Sequence, residues 1–128
     1  MKQDELNKRN SDIAIMLGYV NTTPTDKDFN IFENKQKPFT AIPRLIETMS
    51  MKFHSDWNWL MEVVEAIEKL GYESLTGGSE YYYPEKGMRC IQSFIKDNIT
   101  IYQEAKSKKE AVVQAINQFL IWYNEHNT

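Results

Sequence analysis

Residues 89–110, "RCIQSFIKDNITIYQEAKSKKE", decide the fold. In "RCIQSFIK" and "NITIYQEA" the pattern has a period of two, and Asp97 and Asn98 between them are favoured turn residues, so the stretch reads as a pair of antiparallel strands. "SKKE" then reads as a capping box, in which Ser107 and Glu110 satisfy each other's free amides and open a helix. The apolar stripe of that helix is Val112, Ala115, Ile116, Phe119, Trp122 and Tyr123.

Working upstream, "YESL" after Gly71 begins a further strand, and before it the period is helical. "FHSDWNWLMEVV", residues 53–64, heads a helix with Ser55 expected at the cap, Asp56 on the positive end of the dipole and Gly71 as the closing residue. Trp57, Leu60, Met61, Val64 and Ile67 share one face, and Trp59, Val63, Ala66 and Leu70 the adjoining one. Glu62, Glu65, Glu68 and Lys69 leave only a polar strip, so this helix needs covering on more than one side.

The N-terminal half is less regular. Residues 1–10 are expected as a polar tail or helical lead-in, and Ser11 as the cap of a short helix through Ile13, Ala14, Met16 and Leu17, closed by Gly18. Residues 19–44 hold three of the four prolines and the short apolar islands "FNIF" and "FTAI", which read as a hairpin or a wandering loop. "LIETMSMKF", residues 45–53, reads as a helical turn followed by a short strand in which Met49, Met51 and Phe53 alternate. The whole predicts an α+β fold: an antiparallel sheet of three to four strands packed by two main helices plus a short N-terminal helix, one domain over residues 11–128.

At 128 residues the chain is long enough to bury a core. Its hydrophobic content of 41% is too high for a disordered chain. The single cysteine, Cys90, forms no internal bridge, no run spans a bilayer, and the N-terminus lacks the apolar centre of an export signal. These features predict a cytoplasmic setting. A net charge of −3 spread along the chain disfavours binding to duplex nucleic acid, while a local pocket for a small anion needs only two or three donors.

His54, Ser55 and Asp56 are the residue types of a hydrolytic triad, but neighbours in sequence do not aim at one another as a relay, and capping explains them better. A metal is not expected, because His54 and His126, the latter in a loose C-terminus, are the only histidines. Trp57 and Trp59 are about 200° apart around a helix, so one anchors the core and the other faces aside. Trp59 and His54 are retained as ligand-contact candidates. The stronger candidate is "TGGSEYYYPEKGMR", residues 76–89, a long connection that brings Tyr81, Tyr82 and Tyr83 beside Lys86 and Arg89. Aromatic faces with cations suit a nucleobase with phosphate, or a protein partner; the structural alternative is a hairpin loop whose tyrosines cover the sheet edge.

"MLGY" at 16–19, "KFHSDWNWLMEVVEAIEKLGY" at 52–72 and "KKEAVVQAINQFLIWYNE" at 108–125 give the chain a resemblance to small uncharacterised proteins of bacteriophages and prophages, particularly those of gut Bacteroidetes. More distantly, the layout looks like the phage α-β-α sandwich domain. The resemblance brings no established catalytic residues to carry over, and no cofactor is expected. It implies an accessory factor in the host cytoplasm, such as a sponge for a nucleotide immune signal or an inhibitor of a host protein. The resulting expectation is a non-enzymatic protein that sequesters a small nucleotide-type ligand. A host-protein-binding module and a nucleotide hydrolase using His54 are the alternatives. The excess apolar coverage of the two main helices adds the expectation of a homo-oligomer.

Overall fold

Strands β5 (Cys90–Lys96) and β6 (Ile99–Ala105) form the antiparallel pair expected from their alternation, running from Cys90 opposite Ala105 to Lys96 opposite Ile99. The computed structural model describes residues 2–23, 30–34, 42–78 and 90–126. At the turn, Asp97 adopts φ 53°, a left-handed conformation that a short polar side chain tolerates. Strand β4 (Glu73–Gly78) pairs antiparallel with β5 and is longer than "YESL", because Gly77 and Gly78 continue the ladder opposite Ile91 and Cys90.

The chain divides into two compact units, Met1–Trp59 and Leu60–Thr128. In the second, helix α3 (Lys108–His126) lies on the β4-β5-β6 sheet. Its N-terminus is capped as the sequence implies, the Glu110 amide donating to Ser107 Oγ at 3.1 Å. Ala111, Val112, Ala115, Ile116, Phe119 and Leu120 are buried, and Ala111 joins Cys90 and Ala105 while Phe119 meets Phe94 edge-on. One polar side chain is fully buried in this sheet: Gln92 donates to Ser74 Oγ at 2.9 Å and to the Ser93 carbonyl at 3.0 Å, and accepts from Thr76 Oγ1. Its polar atoms are satisfied, as burial demands.

The first unit departs from expectation in three places. Helix α1 (Gln3–Met16) begins within the stretch read as a tail or lead-in, so Ser11 lies inside the helix and not at its cap. Its end is as expected: Gly18 has φ 85°, and the Tyr19 amide donates to the Ala14 carbonyl at 2.9 Å. The extended islands form a second antiparallel sheet of three short strands, β1 (Val20–Asn21), β2 (Ile31–Glu33) and β3 (Leu45–Glu47). Residues 45–53 run in the opposite order to the reading, strand first and then a 3-10 turn at Thr48–Ser50, which leaves Met49 exposed while Met51 and Phe53 are buried.

Helix α2 (Trp57–Lys69) spans the boundary between the units. Its cap is Asp56, whose Oδ1 accepts from the Asn58 amide at 2.9 Å; Ser55 sits one residue outside. Trp59, Leu60, Val63, Val64 and Ile67 are buried, whereas Trp57 and Leu70, at 38% and 40% exposure, stand at the edges of the apolar face. Gly71, with φ 100°, ends the helix as expected.

Candidate functional site

The register of β4 and β5 closes at Gly78 opposite Cys90. Of the segment singled out in the sequence, Thr76, Gly77 and Gly78 belong to β4, while Tyr81, Tyr82, Tyr83, Lys86 and Arg89 lie outside the described residues.

The other two sequence candidates part company. Trp59 is buried in the first unit, its ring edge-on to Phe53 with centroids 5.0 Å apart. His54, next to Phe53 in sequence, is exposed. Arg9 reaches this turn from α1, with Nη2 donating to the Phe53 carbonyl at 3.2 Å. Arg9 is 7% exposed, and desolvation lowers its pKa to about 10, which still leaves it charged at neutral pH. Partial burial lowers the pKa of His54, and the charge of Arg9 lowers it further, so the imidazole is neutral at pH 7. The arrangement has no relay: Asp56 is engaged in capping Asn58, and the Ser55 and Asp56 amides both donate to the Lys52 carbonyl. Among the described residues no group of His, Cys, Asp or Glu side chains gathers in a way that holds a metal ion, and no helix is long and apolar enough to cross a membrane.

Two clefts were not legible in the sequence. An open, polar one of about 500 Å³ runs along α1 past Asp4, Asn7, Lys8 and Ser11 to Asn30 and Thr48. The other, about 170 Å³, lies at the turn end of the β5-β6 pair and is lined by Leu70, Tyr72, Lys96, Trp122, Tyr123 and His126. His126 is the last residue of α3 and not part of a loose terminus: its ring stacks on Trp122 at 4.7 Å, and its Nδ1 is 2.8 Å from the Trp122 carbonyl oxygen. Tyr72 stands edge-on to both Phe119 and Trp122. The Lys96 ammonium donates to the Leu70 carbonyl at 2.8 Å and lies 5.5 Å from the centre of the Tyr72 ring. The one signal for this cleft in the sequence is the Trp122/His126 spacing of one helical turn.

No family model, curated protein or solved structure matches the chain.

Proposed function

We propose that the chain is a non-enzymatic accessory protein of bacteriophage type that sequesters a small nucleotide-like anion, in the manner of a counter-defence sponge in the host cytoplasm. The observation that supports this reading is the closure of the β4-β5 ladder at Gly78 and Cys90, between which the sequence places three tyrosines and two cations in the long connection 79–89. In this reading Tyr82 or Tyr83 stacks on a base and Lys86 or Arg89 meets phosphate, combining π-stacking with charge-assisted hydrogen bonds. Calorimetric titration with a panel of cyclic and linear nucleotides tests it. Binding heat is expected from at least one nucleotide and is lost in Tyr82→Ala and Lys86→Ala with the melting temperature kept. No heat and no thermal shift across the panel sinks the reading.

A second reading, a module that binds a host protein or a further copy of itself, is favoured by a different observation. α3 covers the sheet face carrying Cys90, Gln92 and Phe94; on the opposite face Leu75 and Tyr102 flank Ser93 and are 47% and 48% exposed. Exposed apolar side chains in one row across a sheet suit a protein contact. Light scattering after size exclusion, with Leu75→Glu as the variant, decides the self-association branch, and capture from host lysate addresses the other.

A further inference from the structure

We propose that the cleft lined by Tyr72, Lys96, Trp122, Tyr123 and His126 binds a small single-ring aromatic carboxylate, with its ring among the aromatic side chains and its carboxylate on the Lys96 ammonium. The size of the cleft sets the scale of the ligand. A cavity of about 150 Å³ accommodates a benzene ring, whereas drug- or nucleotide-sized ligands occupy sites of about 300 Å³ and more. At about 170 Å³ the cleft takes one ring with a small substituent.

The wall chemistry sets the class. Trp122 is held in place by the stacked His126 and by the edge of Tyr72, and Tyr123 is held against Phe119, so these rings form a preorganised aromatic wall. The cation that such a wall would attract is already supplied by the chain, since Lys96 sits over the Tyr72 ring. The cleft therefore does not suit a quaternary ammonium. It suits an anion, because an ammonium has three donors, the Leu70 carbonyl takes one, and among the described residues no carboxylate lies within salt-bridge distance of Lys96. Tyr72 keeps its phenolic proton, its pKa being raised by burial and then by the Asp97 carboxylate, so its hydroxyl remains a donor. The same Asp97 charge opposes an anion at this end and gives the site a measurable counterweight.

The cleft lies at the opposite end of the β4-β5 pair from Gly78 and Cys90. Tyr72 and Lys96 mark one end of the β4-β5 pair and Gly78 and Cys90 the other, about 20 Å apart along six residues of strand. The proposal therefore stands whether or not nucleotides bind.

The test follows the Trp122 indole N–H and the backbone amides of Tyr72 and Asp97 by NMR of the full chain, titrated with benzoate, benzyl alcohol and cyclohexanecarboxylate. Benzoate is expected to give saturable shifts at these groups and to bind more tightly than either analogue. Lys96→Met is expected to weaken benzoate at least about tenfold and leave benzyl alcohol unchanged, whereas Lys96→Arg retains binding and Asp97→Asn tightens it. Misfolding does not move two charge variants in opposite directions, so the pair reads the site and not the fold. Absence of saturable shifts with benzoate at millimolar concentration, or equal affinities in Lys96→Met and the parent, overturns the proposal.

Discussion

The first unit, Met1–Trp59, and the second, Leu60–Thr128, gain order by different chemistry. In the second, two seven-residue strands and a six-residue one make a continuous ladder, and Phe94, Phe119, Tyr72, Trp122 and Tyr123 form a chain of ring contacts over it. In the first, among the described residues no strand exceeds three residues, and buried polar side chains add links. Arg9 reaches the Phe53 carbonyl, Asn10 Nδ2 the Thr48 carbonyl at 3.0 Å, and Asn34 Nδ2 the Ile42 carbonyl at 3.3 Å. The difference is between a core of rings packed over a continuous ladder and one in which buried apolar side chains such as Phe32, Met51 and Phe53 are supplemented by directional bonds to the backbone. Area tolerates small displacements, whereas a buried hydrogen bond is either made or lost.

The largest expected effect lies in the second unit. Phe119 is fully buried and touches Tyr72, Phe94, Trp122 and Tyr123, so Phe119→Ala is expected to cost about 3–5 kcal/mol, read as a lower urea midpoint. Amide exchange should accelerate across Cys90–Ala105. A variant that unfolds at the parent midpoint breaks the view that the ring cluster carries this unit.

Asn10→Ala is the counterpart in the first unit. It removes the bond from the fully buried Asn10 side chain and strips the Thr48 carbonyl of that donor, at about 1–3 kcal/mol. Faster exchange is expected around Thr48 and Met51, with the β5-β6 amides unmoved. Equal acceleration in both regions would show that the directional bonds and the aromatic core are one cooperative system.

The two helix-ending glycines compare the units directly. Gly18 and Gly71 both have positive φ, but a Cβ on Gly18 meets nothing within 4 Å, while one on Gly71 comes 3.3 Å from Lys96 Cε. Each change to alanine carries backbone strain of about 1–2 kcal/mol, and Gly71→Ala must also displace the lysine stem that holds the Leu70 carbonyl. Gly71→Ala is therefore expected to melt lower than Gly18→Ala; the reverse order would locate the strain elsewhere than in the left-handed backbone.

This contrast also explains what the sequence made legible. The β5-β6 pair, the Ser107 cap and the buried face of α3 follow from periods of two and 3.6 sustained over seven residues or more. Strands of two or three residues have no period to detect, which is why "FNIF" reads equally as hairpin or loop and residues 45–53 read in the reverse order of their strand and 3-10 turn. The start of α1 is hidden for a related reason, although its end at Met16 and Gly18 is legible: Arg9 and Asn10 are buried, yet on a hydropathy reading they extend a polar tail. Burial of Trp59 and exposure of Trp57 required the fold, since each lay on a plausible apolar face. The Tyr72–Lys96 cleft required the register of β4 against β5, which no local pattern encodes.

The smallest expected effect tests whether the first unit's charge arrangement reaches its surface. Partial burial and then Arg9 make His54 hold its proton less tightly in the folded chain than in the unfolded one, where its ordinary pKa is about 6.5. Above that pH the imidazole is neutral in both states and costs nothing. As pH falls through 6.5 the unfolded chain takes up the proton first, so stability drops until the lower folded-state pKa is also passed. Because His54 is exposed, the loss is small and is best read as a difference between the parent and His54→Gln in urea midpoints on either side of that range. The gap between the two proteins should grow toward acid in favour of the glutamine variant. Adding Arg9→Met shrinks the electrostatic part of that gap if the guanidinium is its source. A gap that grows equally with and without Arg9 assigns the whole shift to desolvation, and with it removes electrostatic reach from the list of what the buried arginine does.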